Sequence, residues 1–290
     1  MDSMGTSSIY DGPVNPLLPD DYDDSLDHNN APQPEENNDT PFEGEHQTSE
    51  KPENEEQNNK ETPVRFPYRW KDAKGAMTNY VKGSSSDRGR VMNRYVGAAG
   101  GSKQLSRMSI SGKSTAVGIG RTIQDFRNNG VESTLQSLQI DCVGKGAKAA
   151  LSELINVLSG KSDSKEDIIA RGAAGEAIAE MYKIVNENDG DIESLRHIDE
   201  ATFRSILEVF MSEYIFRKVM SDLQSRFEKY ENNPSEAIKK EQELKDYIKV
   251  KVELRMNNIQ PETLDYRSNS IPDEIEKLFV KCYQAFEEYV

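Results

Sequence analysis

Asp199-Glu200-Ala201-Thr202-Phe203-Arg204-Ser205-Ile206-Leu207-Glu208-Val209-Phe210-Met211-Ser212-Glu213-Tyr214-Ile215-Phe216, continuing to Tyr230, carries the strongest periodic signal in the chain. Phe203, Ile206, Leu207, Phe210, Tyr214, Ile215, Val219, Leu223 and Phe227 recur at steps of three and four, and no Gly or Pro interrupts them. That spacing predicts one long amphipathic helix over 199–230. Asn233-Pro234 stops it and starts the next, with Pro at a first-turn position that needs no donor. The following helix carries Ile238, Leu244, Ile248, Val252 and Met256 inward and Lys/Glu outward. Pro261 lies in a connector, and Ser270-Ile271-Pro272-Asp273 opens a last helix whose face is Ile275, Leu278, Phe279, Cys282 and Phe286.

The same period extends towards the N-terminus. Ser164-Lys165-Glu166-Asp167 resembles a capping box leading into Ile168, Ile169, Ala173, Ala177, Ile178, Met181, Tyr182 and Val185. Ala147, Ala150, Leu151, Leu154, Ile155 and Leu158 form another stripe, and Ile123, Phe126, Val131, Leu135, Leu138 and Ile140 a shorter series. Helices are also predicted over 71–83 and 87–98, separated by Gly83-Ser84-Ser85-Ser86. Residues 97–120 are rich in small side chains, which suit close helix packing or a loop. No alternating strand pattern is present, so the expected fold is all-α: a multi-helix bundle.

Ahead of the bundle the composition changes abruptly near Thr62. Residues 1–64 hold seventeen Asp/Glu and two Lys, a net of −15, which is also the net charge of the whole chain. Residues 65–290 therefore balance. A tail so charged and so poor in aromatics cannot bury enough apolar surface to offset chain entropy, and is expected to be a long disordered acidic N-terminal tail. Four segments follow: 1–19, a tip with partner-recognition character; 20–64, an acidic linker; 65–128, a basic, Gly-containing helical region; and 129–290, a helical bundle domain.

The region 65–128 has thirteen Lys/Arg against Asp72, Asp87 and Asp125. Arg65-Phe66-Pro67-Tyr68-Arg69-Trp70 opens it, and aromatics at that point either anchor the chain on the core or stack on bases. Arg69, Trp70, Lys74, Arg88, Arg90 and Arg94 are the residues that would touch nucleic acid or an acidic surface, the alternative being solvated helix faces.

Catalytic patterns are thin. His28, His46 and His197 have no metal-ligand neighbour at helical spacing, and Cys142 and Cys282 form no CxxC pair and read as reduced core thiols. Gly112-Lys113-Ser114 ends like a phosphate loop, but Arg107 stands where its first glycine belongs; Gly118-x-Gly120 is followed by Ile123 in place of the third glycine. No apolar run approaches the roughly 18 residues of a membrane span, and the acidic start is unlike a secretory leader. The expectation is a non-enzymatic cytoplasmic protein that itself binds no metal or cofactor.

The tip has its own pattern: Met4-Gly5-Thr6-Ser7-Ser8-Ile9-Tyr10-Asp11-Gly12-Pro13, then Asn15-Pro16-Leu17-Leu18-Pro19. Together with Arg65-Phe66 through Arg94-Tyr95-Val96, Gly100-Gly101, Arg107-Met108 and Ile206 to Phe216, it resembles the QatB family of the Qat anti-phage defence system. The resemblance implies companions: an ATPase, a QueC-like protein (QatC) and a TatD-like nuclease. It implies that the QueC-like partner, which would hold ATP and a deazaguanine, binds Met4, Gly5, Thr6, Ser7, Ser8, Tyr10, Asn15, Pro16, Leu17, Leu18 and Pro19. Gly5 would be the modification acceptor, its unhindered amine joined to the deazaguanine. Met1-Asp2-Ser3 precede Met4 here, so that amine becomes free only through a start at Met4 or by cleavage.

Overall fold

The computed structural model describes residues 66–140, 146–160, 163–230 and 234–288. In order these form α1 (Phe66–Val81), α2 (Arg88–Ala98), α3 (Ser102–Met108), α4 (Ile110–Asn129), α5 (Val131–Ser137), α6 (Ala147–Ser159), α7 (Lys165–Glu187), a 3-10 turn (Ile192–His197), α8 (Glu200–Tyr230), α9 (Pro234–Ile259), a second 3-10 turn (Pro261–Thr263) and α10 (Ile271–Glu287). No strand occurs among the described residues, and the all-α bundle stands. Residues 1–65, with the expected tail and the tip, lie outside the described residues.

Helix α8 is the hub, packed by α7, α9, α1 and α4. Its apolar stripe is buried as its spacing requires, but burial extends round the helix: Ser212, Glu213 and Lys218 are buried as well. Such polar groups are tolerated only when paired. Glu213 meets Lys245 of α9 at 2.5 Å and Arg217 at 3.5 Å, and the Lys218 ammonium lies 5.9 Å from the Tyr214 ring centroid. Residues from 65–128 and from 129–290 share one hydrophobic core, and α4 runs across that division.

Sequence signals for helix ends hold locally. Ser164 caps α7 through a reciprocal pair with Asp167, and the Ser111 hydroxyl, followed by those capping bonds, holds the Asp167 carboxyl below its usual range. Gly100 and Gly101 sit at φ +94° and +92°, where the chain turns from α2 into α3. Ile238 departs from expectation: it is 68% exposed, because the α9 face turned to α8 and α10 begins lower down, with Leu244, Ile248, Val252 and Met256.

Glu208 lies between α8 and α9. Burial, then the negative charge of Glu253, holds its carboxyl above the usual 4.5, with partial relief from Arg204 and Lys249 and a further push from Glu262. Below about pH 4.5 this group is neutral folded and unfolded and costs nothing; above its raised folded value the charge subtracts stability. Glu208→Gln is therefore expected to raise the melting temperature near pH 7 and to leave it unchanged near pH 4. Melting curves at the two pH values check this; equal shifts at both would assign the effect to packing.

Candidate functional site

The first turn of α4 is closed by a side chain from another helix. Helix starts leave backbone N–H groups without partners. Here the Glu166 carboxylate from α7 accepts from Ser111 N at 3.1 Å and Gly112 N at 3.2 Å. The same oxygen accepts from the Tyr214 hydroxyl of α8 at 2.7 Å. Ser111 also donates to Asp167 at 2.5 Å. Burial, and beside it the Tyr283 phenol, holds the Tyr214 phenol far above its usual range, so it stays protonated and donates. Tyr283 is buried against Ser109 at 3.3 Å, and burial raises its phenol too. This network ties α4, α7, α8 and α10 together.

The arrangement also explains why Gly112-Lys113-Ser114 is not a phosphate cradle. The helix start is filled by a carboxylate, and Lys113 points to Glu276 of α10 at 3.0 Å. A Cβ on Gly112 would lie 2.5 Å from the Tyr214 ring, and one on Gly120 2.1 Å from the Tyr266 ring. These glycines are packing notches.

Of the basic-region candidates, Arg69 lies in α1. Trp70 is half-buried, its ring edge-on to Tyr95 of α2 at 6.0 Å between centroids. Lys74 is half-buried on α1. Arg88 turns to Glu243 of α9 at 3.8 Å. Arg90 and Arg94 share the exposed side of α2 at i, i+4 spacing. Thus Arg90 and Arg94 are brought together, while Arg88 and Trp70 are drawn into contacts within the bundle. The tip residues Met4 to Ser8, Tyr10 and Asn15 to Pro19, with the acceptor Gly5, lie outside the described residues.

Reactive groups are few. Cys282 is fully buried and its thiol is pushed up to about 12 by desolvation, which removes the thiolate a nucleophile needs. Cys142 lies outside the described residues. His197 ends the first 3-10 turn. No group of three or more His, Cys, Asp or Glu among the described residues could hold a metal ion. No described helix is long and apolar enough to cross a membrane.

Two surface grooves adjoin at Glu276. One, of about 450 Å³, is basic and runs between α3 and α10, with Lys103, Arg107, Lys277 and Lys281 on its walls. The other, of about 600 Å³, has an apolar floor of Val117, Leu138, Val157, Leu158 and Ile275. Sequence reading missed the basic groove, because Lys277 and Lys281 belong to the net-acidic half. Their i, i+4 spacing off the apolar face of α10 was the available signal.

Among known proteins, a family model described as "Qat anti-phage system associated protein QatB" matches residues 100–286, more than half of the chain. The match takes in α3 to α10 nearly whole; α1, α2 and the tip lie before it. No curated protein and no solved structure matches the chain.

Proposed function

Because this chain belongs to the QatB family of the Qat anti-phage system, we propose that it is a non-enzymatic component that presents its N-terminal tip to a QueC-like partner (QatC). The family match over residues 100–286 carries this reading. The tip assignment rests on the motif at 4–19 itself, which precedes the matched stretch. An extended motif seated in a partner's groove, joined to a body by the acidic stretch 20–64, gains from the raised effective concentration that a tether provides.

In this proposal Gly5 is the acceptor. Once Met4 is removed, the free amine attacks a carbon of the deazaguanine that the partner has activated with ATP. A C–N bond forms, the activating group leaves with its electron pair, and the nitrogen gives up a proton to solvent. Glycine suits the position, since it offers no side chain to a narrow site. ATP and the deazaguanine belong to the partner; the system's ATPase and TatD-like nuclease are further candidate contacts, and the cytoplasm is the proposed setting.

The test is an intact mass with N-terminal peptide mapping after co-expression with the QueC-like protein. The expected result is a chain that begins at Gly5 and carries the mass of one deazaguanine. A chain that retains Met1, has no added mass and does not co-purify with the partner would overturn the proposal.

A further inference from the structure

We propose that the joined grooves on the α3–α4–α10 face are a second docking site, built for a protein segment that is acidic on one side and aliphatic on the other. Lys103, Arg107 and Lys281 are exposed and have no ion-pair partner among the described residues, whereas Lys277 is held by Glu274 and Lys113 by Glu276. The basic groove therefore offers three uncompensated cations, and the acid in its lining, Glu276, is committed to Lys113. Apolar side chains line the adjoining groove: Val157 is 43% exposed, and Val117, Leu138 and Leu158 are half-buried. Burying such surface is favourable, and an apolar patch rimmed by charge marks an interaction surface.

Charge and apolar surface together select the occupant. A nucleic-acid backbone would satisfy Lys103, Arg107 and Lys281 but leave Val117, Val157 and Leu158 of the adjoining groove in water. The grooves also have no aromatic ring among their lining residues on which a base could stack. An amphipathic acidic segment satisfies both parts: carboxylates along the α3–α10 groove, aliphatic side chains in the pocket over Val117 and Leu158. From Pro272 to Lys281 the face extends about 14 Å along α10, room for two to three turns of helix. This site is separate from the N-terminal tip and does not depend on modification at Gly5.

The probe is a fluorescent amphipathic peptide of about 16 residues with leucines on one face and glutamates on the other, measured by anisotropy against the full chain. Binding is expected to weaken at least ~10-fold with raised salt and in the K103E/R107E/K281E variant. Val157→Gln is expected to weaken it too, with the charges untouched. All four positions are exposed, and circular dichroism checks that the variants remain folded. A lysine–leucine peptide of the same length should not bind. Lack of binding by the acidic peptide, or binding that survives both variants, overturns the proposal. Selective binding of single-stranded or duplex DNA at these lysines, without peptide binding, would assign the face to nucleic acid instead.

Discussion

Gly120→Ala is expected to destabilise the bundle by about 3 kcal/mol, the upper end of what overpacking costs, and to lower the melting temperature by roughly 5–10 °C. The added Cβ would lie 2.1 Å from Tyr266 Cε1, and the ring has little freedom to move away. Tyr266 is fully buried, packs on Phe203 at 5.7 Å and donates its hydroxyl to the Pro261 carbonyl at 3.0 Å. Its backbone is held to α4 as well: Tyr266 N donates to Gln124 at 3.0 Å, and Gln124 Nε2 donates to the Leu264 carbonyl at 2.6 Å. Gly112→Ala should behave similarly against Tyr214, whose hydroxyl is committed to Glu166. Gly75→Ala is the control: nothing lies within 4 Å of its Cβ, so it should be neutral or mildly stabilising. Thermal melts of the three variants decide the matter, and equal effects at Gly75 and Gly120 would remove the notch interpretation. A double-mutant cycle with Tyr266→Ala should show strong non-additivity, since the clash vanishes with the ring.

Deletion of residues 1–19 is expected to abolish both co-purification with the QueC-like partner and the added N-terminal mass, while the melting temperature stays the same. Residues from Arg65 to Val290 form a compact unit with their own hydrophobic core, so the deletion removes no described core contact. A narrower variant divides the effect: Gly5→Pro should block the C–N bond formation by placing a hindered ring nitrogen at the acceptor, and should leave binding through Asn15 to Pro19 largely intact. Pull-down and intact mass are the readouts. Unchanged recovery of partner and unchanged mass after the deletion would defeat the proposal that the tip is the functional site.

The helices of the body were legible because their apolar residues repeat at three and four. Phe203 to Leu223 and Ile275 to Phe286 are buried where that spacing puts them. The capping box at Ser164 and Asp167 was legible because it is local, closing over three residues. Ile238 was misread because periodicity reports which residues share a face and not how far the neighbouring helix reaches along it. The cap of α4 was invisible for a related reason: Glu166 is more than fifty residues from the N–H groups it accepts.

Sequence by itself was sufficient for the all-α class, for the charge break near Thr62 and for the tip motif. Each depends on composition or on spacing within a few residues, and helical period is a property of the local chain. Tertiary structure alone decided that the middle of α8, from Phe210 to Phe216, is buried all round, that Gly112 and Gly120 are seats for Tyr214 and Tyr266, and that cations from α3 and α10 line one groove. Those outcomes depend on which helix faces meet. Burial all round a helix, a ring against a missing Cβ, and a charge left unpaired exist only after distant segments have packed.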